Sequence, residues 1–172
     1  MIKIAITGGI GSGKSYIAQQ MTELLGIPVY DSDANAKRLN EETPIIRQGL
    51  IEIVGTDVYD HQGKLNKALL ASYLFANAEN AARINALIHP IVKQDFLQWA
   101  ESQNSQIVAI ETAILKESGI DQIVDKVIRV DAPIELRIER AIKRDGATKE
   151  QILRRIAQQQ DYPTPDIIIN NV

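Results

Sequence analysis

The chain contains no cysteine and only 2 histidines among its 172 residues. The absence of cysteine excludes disulfide frameworks and thiolate metal sites. A long hydrophobic run is also missing at the start, because glycine interrupts the apolar residues 2–7 too early for a signal peptide or a transmembrane helix. Excess positive charge is missing too: the net charge is -3, which gives no overall reason to bind nucleic acid or an anionic membrane. We therefore expect a cytoplasmic protein that holds any anion by local geometry.

The remaining composition is close to the globular average, with 45% hydrophobic and 24% charged residues. It argues against collagen, coiled coil and bulk disorder. The length predicts one compact domain that carries a small inserted lobe.

Short apolar runs bounded by turn residues predict five buried parallel strands. These runs occupy residues 2–7, 27–30, 107–110, 127–130 and 167–169. Segments with helical periodicity lie between these runs. After the first run, apolar residues at helical spacing are Ile17, Met21 and Leu24, and Gly26 is expected to end this helix. The alternation predicts a doubly wound α/β fold, a three-layer sandwich around a five-stranded parallel sheet.

Residues 34–103 show helical patterns without intervening strands and predict a helical insertion. We expect His89-Pro90 to end a helix over 81–88, because the residue before proline avoids the helical region. A cluster of turn residues is present at 60–63. The prediction is a single domain whose segments are a core at about 1–33, 104–135 and 161–172, the insertion at about 34–103, and a helical lid at about 136–160.

A phosphate-binding motif follows the first predicted strand. Residues 8–15 read GGIGSGKS and fit the P-loop pattern G-x-x-x-x-G-K-[ST] at the start of a predicted helix. The glycines let successive N–H groups turn inward at the positive end of the helix dipole. Lys14 can then reach the β- and γ-phosphates of ATP, and the Ser15 hydroxyl can ligate magnesium. We expect ATP contacts from Gly9, Gly11, Ser12, Gly13, Lys14, Ser15 and Tyr16.

Glycine patterns of this kind have two other interpretations. One is a plain glycine-rich surface turn. The other is a dinucleotide-binding fingerprint, but that fingerprint gives no role to Lys14 and Ser15. The P-loop accounts for more of the residues.

Acidic residues follow two of the predicted strands. Asp31 and Asp33 stand two apart after the second strand, so in extended chain both project to the same side, near the P-loop opening. A carboxylate there can accept the proton of an attacking hydroxyl or order the waters of a metal ion. The alternative is that either residue caps the next helix. Glu111 follows the run 107–110 and is a candidate for indirect support of magnesium, although an acid after four apolar residues is common.

Three arginines share one face of a predicted helix, because Arg137, Arg140 and Arg144 are three and four positions apart. Arginines that close over a transferring phosphoryl group stabilise its charge, whereas a basic stripe can also be a solvated surface. Arg83 could bind an anionic group of a second substrate. His89 has no neighbouring cysteine or histidine with which to bind a metal, and it could instead bond a backbone carbonyl beside Pro90.

These separated motifs together resemble the dephospho-CoA kinase family over nearly the whole chain. The matching segments are ITGGIGSGKS at 6–15, YDSD at 30–33, RINALIHP at 83–90, LKESG at 115–119, RAIKRDG at 140–146, Arg155-Ile156 with Gln158 to Gln160, and DIIIN at 166–170. The P-loop alone indicates only a superfamily. The Asp-x-Asp, His-Pro and Arg-Asp elements in this order indicate the family.

The resemblance implies ATP-dependent phosphorylation of the ribose 3′-hydroxyl of dephospho-CoA with magnesium, the last step of coenzyme A synthesis. It implies that Asp33 is the base and that Lys14 and Arg140 stabilise the transferring group. Arg144 and Asn170 would contact ATP. The insertion would hold the acceptor through residues that include Asp31, Arg83 and His89. The expected partners are ATP and dephospho-CoA, without nucleic acid or membrane, for a monomer or small homo-oligomer.

The chain departs from the family pattern at two places. Family members carry proline and phenylalanine before the Glu-Ser-Gly element, where this chain has Ala113 and Lys116. They also continue with a further helix after the segment of Asn170, whereas this sequence stops at Val172.

Three other functions compete with this one. Another small-acceptor P-loop kinase, such as a nucleoside or nucleotide monophosphate kinase, would share the same motifs. A GTP-binding switch requires an Asn-Lys-x-Asp motif, and the late candidate at 169–172 lacks the lysine and the aspartate. A P-loop relic without chemistry is disfavoured because Lys14, Ser15, Asp33 and Arg140 are all present.

Overall fold

A computed structural model describes residues 1–159 and 162–172. Two residues lie outside the described ranges. They are Gln160, which belongs to the family resemblance, and Asp161, at which we expect the last core segment to begin. The chain forms two compact units, one of Met1–Asp31 with Trp99–Val172 and one of Ser32–Gln98.

The first unit contains a five-stranded parallel sheet, as predicted. Its strands are β1 Ile2–Gly8, β2 Val29–Asp31, β3 Ile107–Glu111, β4 Lys126–Asp131 and β5 Ile167–Asn170. They are arranged in the order β2-β3-β1-β4-β5. In parallel pairing the carboxyl ends of all strands meet at one edge, so the loops after β1, β2 and β3 share that edge.

Seven α-helices occur among the described residues, together with two short 3₁₀ helices at Thr56–Val58 and Ile120–Gln122. The helices are α1 Lys14–Leu25, α2 Ser32–Glu42, α3 Pro44–Val54, α4 Lys67–Leu74, α5 Ala78–Ser102, α6 Ile134–Asp145 and α7 Lys149–Ala157. Gly26 ends α1 as predicted, in the left-handed conformation, and its N–H bonds the Thr22 carbonyl. Thr148 and Gln151 form a capping box at the start of α7.

Two apolar clusters of described residues lie in the first unit. The sheet cluster consists of buried residues from β1, α1, β3 and β4: Ile6, Ala18, Met21, Ala109, Ile128 and Val130. The second, here called the α6–α7 cluster, consists of Ile138, Ala141 and Ile152. Ile10 of the P-loop packs against this α6–α7 cluster, so the loop is attached to both the sheet and the two helices.

The second unit is helical and holds its loops by side-chain contacts. The Tyr59 hydroxyl donates to the Asn40 carbonyl at 2.5 Å, and the Arg47 guanidinium lies 4.1 Å from the centre of the Tyr59 ring. The turn predicted at 60–63 is confirmed, since Asp60 accepts bonds from the N–H groups of Gln62 and Lys64. Within residues 1–159 and 162–172, no helix is both long and apolar enough to cross a membrane.

The predicted helix break at His89-Pro90 is wrong, because α5 continues through Pro90 to Ser102. An interior proline removes one backbone hydrogen bond and costs roughly 3 kcal/mol. Ile84, Val92 and Phe96 are buried on both sides of the proline, at helical spacing. Burial of each such side chain contributes roughly 1.5–3 kcal/mol, so together they outweigh the defect.

Candidate active site

The P-loop turns tightly between β1 and α1. The Ser12 N–H bonds the Gly9 carbonyl at 3.1 Å, and Gly13 precedes α1 with a φ of 92°. Only glycine adopts this left-handed conformation without strain. A Cβ at Gly13 would also overlap the side-chain amide of Asn171. The turn therefore presents the N-terminus of α1 to an anion, as the motif predicts.

A cavity of about 200 Å³ opens in front of the P-loop. It is lined by Gly11, Gly13, Lys14, Ser15, Arg140 and Arg144, all of them predicted site residues. Three cationic side chains and a helix N-terminus thus converge on one small volume, and none of the described residues that line it carries a carboxylate. The arrangement is suited to a polyphosphate.

Ser15 connects the P-loop to the acidic edge of the sheet. Its hydroxyl donates to Glu111 Oε1 at 2.6 Å. Glu111 is the last residue of β3 and stands opposite Ile6 of β1 on one side and Asp31 of β2 on the other. The register of the sheet therefore explains why these two acidic residues are neighbours beside the P-loop.

The oxygens of Ser15 and Glu111 are of the kind that magnesium prefers. The two side chains are in contact, and Ser15 lines the cavity. No group of three or more histidine, aspartate or glutamate side chains that could hold a metal occurs in residues 1–159 or 162–172. Magnesium in phosphoryl-transfer sites usually has one or two protein ligands, with the rest from water and substrate phosphates. The residues present fit that form of binding.

Arg140 is held in place by the chain after β5. Its Nη1 donates to the Asn171 carbonyl at 3.0 Å, while Asn171 Nδ2 donates to the Ser12 carbonyl at 2.9 Å. The Asn171 N–H bonds the Asp131 carbonyl at 2.8 Å. Asn171 therefore connects the P-loop, the end of β4 and Arg140, a role that the sequence analysis missed.

Arg144 lines the cavity and is also paired with its neighbour. Its Nε and Nη2 donate to the two carboxylate oxygens of Asp145 at 2.7 and 3.0 Å, and Arg155 donates to the same carboxylate at 3.0 Å. The hydrogen bond from Arg144 holds the pKa of Asp145 below its ordinary value. Asp145 therefore keeps Arg144 directed along the end of α6.

Several predicted site residues of the first unit are not among those that line the cavity, namely Gly9, Ser12, Tyr16, Asp31, Glu111 and Asn170. Tyr16 is exposed in the first turn of α1, and Asn170 is exposed at the end of β5. Neither is among the residues that line the cavity. Gly9 and Ser12 are buried within the loop itself.

The prediction that Asp31 and Asp33 share an extended segment is wrong. Asp31 is the last residue of β2, but α2 begins at Ser32, and Asp33 lies in its first turn. An acidic side chain is favoured there because it faces the positive end of the helix dipole. The two carboxylates therefore belong to different elements and do not project to the same side by strand alternation.

Arg83 and His89 both lie on α5 in the second unit. Arg83 is exposed and its Nη1 donates to the Tyr73 hydroxyl at 3.1 Å, whereas His89 is half-buried. Six positions along a continuous helix correspond to directions roughly 120° apart. The two side chains therefore do not share one face of α5.

The chain is similar to dephospho-CoA kinases over nearly its whole length. The model of the family described as dephospho-CoA kinase matches residues 2–171. The dephospho-CoA kinase of Bacteroides fragilis is 49% identical over 159 residues, which cover 92% of this chain and 77% of that protein. That of Porphyromonas gingivalis is 47% identical over 160 residues, covering 93% and 78%.

A solved structure supports the fold. The dephospho-CoA kinase from Campylobacter jejuni has a TM-score of 0.66 to this chain at 21% identity, and the match covers 98% of this chain and 87% of that one. The parallel α/β architecture of P-loop kinases, predicted from the strand and helix pattern, is confirmed.

Proposed function

The chain belongs to the dephospho-CoA kinase family, and we propose that it transfers the γ-phosphoryl group of ATP to the ribose 3′-hydroxyl of dephospho-CoA. The products are coenzyme A and ADP. A bond forms between the 3′-oxygen and the γ-phosphorus, the bond to the bridging oxygen of ADP breaks, and the hydroxyl proton leaves to a base. The observation that carries the proposal is the cavity in which Lys14, Arg140 and Arg144 converge on the P-loop.

Lys14 and Arg140 stabilise the transferring group in this proposal. Both line the same cavity, one from the start of α1 and the other from α6. Negative charge spreads over the equatorial oxygens in the transition state, and cations fixed in advance stabilise it without reorganisation. The bond from Arg140 to the Asn171 carbonyl supports this role because it fixes one end of the guanidinium.

We expect Arg140→Ala to lower turnover by about 10²-fold while the affinity for ADP changes by less than about three-fold, since arginines of this kind act mainly on the transition state. Initial rates and calorimetric titration with ADP would measure the two effects. A variant in which only the Michaelis constants change would show that Arg140 binds the ground state.

Magnesium would be held by the Ser15 hydroxyl, with Glu111 supporting it through water. When bound, the ion neutralises charge on the β- and γ-phosphate oxygens. The 2.6 Å contact between the two side chains supports this assignment, because it directs the Ser15 oxygen toward an acidic neighbour.

We expect Glu111→Gln to raise the magnesium concentration for half-maximal turnover by about ten-fold, as loss of an outer partner of a metal ligand typically does. Glutamine can still accept the bond from Ser15, so the geometry is kept while the charge is lost. Magnesium titration at saturating ATP would measure the effect, with Ser15→Ala as the positive control. An unchanged magnesium requirement would reduce Glu111 to a residue that orients Ser15.

On the acceptor side we assign Asp33 as the base and Asp31, Arg83 and His89 as acceptor-binding residues. Asp33 is exposed at the start of α2, directly after the strand whose last residue is opposite Glu111. A carboxylate at this position can accept the proton of the acceptor hydroxyl. Residues 34–103 form the acceptor-binding insertion in this proposal, and residues 136–160 form the lid.

A panel of acceptors tests the proposed function. ADP release would be measured with ATP and magnesium against dephospho-CoA, AMP, CMP and shikimate in parallel. The proposal requires that dephospho-CoA give by far the highest kcat/KM. Preference for a nucleoside monophosphate would establish the competing small-acceptor kinase instead. A cytoplasmic location and a monomer or small homo-oligomer remain part of the proposal, and cell fractionation and size-exclusion chromatography would check them.

A further inference from the structure

Ile10 of the P-loop is held from outside the loop through both its backbone and its side chain. We propose that Arg137 and Gln159 are positioning residues that hold the P-loop through Ile10 in the shape that receives the nucleotide phosphates, and that nucleotide binding in turn stabilises the attachment of Gln159, which follows α7. This inference rests on the proposed function only in so far as the P-loop binds a nucleotide.

Both backbone polar groups of Ile10 are engaged by these two side chains. Arg137 Nε donates to the Ile10 carbonyl at 3.0 Å, and the Ile10 N–H donates to Gln159 Oε1 at 2.9 Å. Arg137 Nη2 donates to the same Gln159 oxygen at 3.2 Å, which closes the set. The Ile10 side chain packs against the α6–α7 cluster. Its backbone and side chain are therefore all fixed by residues more than 120 positions away, as the separations of 127 and 149 show.

The glycines on either side of Ile10 leave the space that Arg137 occupies. Gly9 is not among the glycines with a positive φ, so its backbone does not itself require glycine. A Cβ there would overlap the guanidinium of Arg137. A Cβ at Gly11 would overlap the Arg137 carbonyl. Two glycines of the phosphate-binding motif thus leave room for α6 at Arg137, in addition to any room they leave for a ligand.

Neither Arg137 nor Gln159 lines the cavity, so both act through the loop rather than on the phosphates. A loop already held in its bound shape loses less conformational freedom when a ligand binds. Removal of the contact moves that ordering cost onto nucleotide binding, which weakens affinity. Because such coupling is reciprocal, a bound nucleotide must strengthen the attachment of the Gln159 segment by the same factor.

The test is a double-mutant cycle on ADP binding, which needs no acceptor. We expect Arg137→Ala and Gln159→Ala each to weaken ADP binding by about ten-fold, the usual effect of hydrogen bonds that involve a charged group. The double variant should bind ADP about as tightly as the single variant with the lower affinity, because both residues act on one peptide unit. Arg137→Lys should recover part of the loss, since lysine can restore one donor. Lys126→Ala, which removes an exposed cation at the first residue of β4, is the control and should bind ADP normally.

Two further readouts separate positioning from general stability. The KM for ATP should rise with Arg137→Ala while kcat stays within about three-fold, as expected for loss of ground-state binding. In hydrogen exchange, ADP should slow exchange of the amides at the end of α7 in the wild type and not in Arg137→Ala.

Unchanged ADP affinity in a folded Arg137→Ala variant would overturn the inference, and so would a lower melting temperature with normal ADP affinity. Additive losses in the double variant would also overturn it, because the two residues would then act separately. The proposed function fails on a different result, namely wild-type protein that binds ADP but does not phosphorylate dephospho-CoA.

Discussion

Lys14→Ala should lower turnover by about 10³-fold or more and leave the fold intact, because the ammonium group stabilises phosphate charge at every stage of the transfer. Lys14 is the first residue of α1 and lines the cavity, and it is not part of either apolar cluster. Its loss therefore removes charge from the site without opening a void in the core. Steady-state rates and thermal unfolding of the same preparations would measure both quantities.

Lys14→Met is the matched control for shape, since it keeps the length of the side chain and removes only the charge. It should be as inactive as Lys14→Ala. If activity per folded molecule stayed normal while the melting temperature dropped, Lys14 would be a structural residue and the assignment would be wrong.

Asp33→Asn should lower turnover with dephospho-CoA by roughly 10²- to 10⁴-fold, the range typical for loss of a general base. Asparagine has nearly the same size and is also accepted at a helix N-terminus, so the start of α2 should be preserved. Nucleotide affinity should change little. Turnover at saturating substrates, together with ADP titration, would measure the two effects.

Magnesium distinguishes two ways in which Asp33 could act. If it takes up the proton of the acceptor hydroxyl, extra magnesium will not restore turnover. If it orders the waters of the ion, raising magnesium will recover much of the loss. Near-normal turnover at ordinary magnesium would contradict both, and the catalytic role would pass to Asp31, for which Asp31→Asn is the parallel variant.

Local patterns predicted most of the fold. Each of the five apolar runs forms a strand of the sheet, and the glycine after α1 ends that helix as expected. The prediction that all five strands are buried is wrong for β5, where Ile167 and Ile168 are exposed because β5 lies at the edge of the sheet. Prediction failed where tertiary packing opposed a local preference. Pro90 favours a break, but buried residues on both sides hold α5 continuous. Asp33 is a different case, because the local sequence is compatible both with extended chain and with a helix start, and the structure has Asp33 in the first turn of α2.

The candidate site was predictable where its motif is contiguous and not where it depends on distant parts of the chain. Residues 8–15 indicate a phosphate site by spacing alone. Asn171 and Gln159 contact the P-loop from 159 and 149 positions away, and no periodicity relates them to it. Arg137 did carry a signal, because it shares the spacing of Arg140 and Arg144, but that spacing does not distinguish a side chain that contacts the loop from one that lines the cavity.

The position of β1 in the sheet determines when the nucleotide site can form during synthesis. β1 lies between β3 and β4, so the strand that carries the P-loop has no partner until the ribosome has made residue 107. At roughly 5–20 residues per second, the wait lasts several seconds or more. Residues 32–98 form a compact unit from one continuous stretch and need not wait for β3. The site is therefore completed after residues 32–98 have been made, and a nascent chain acquires the contact from Asn171 to the P-loop only after Asn171 has left the ribosome.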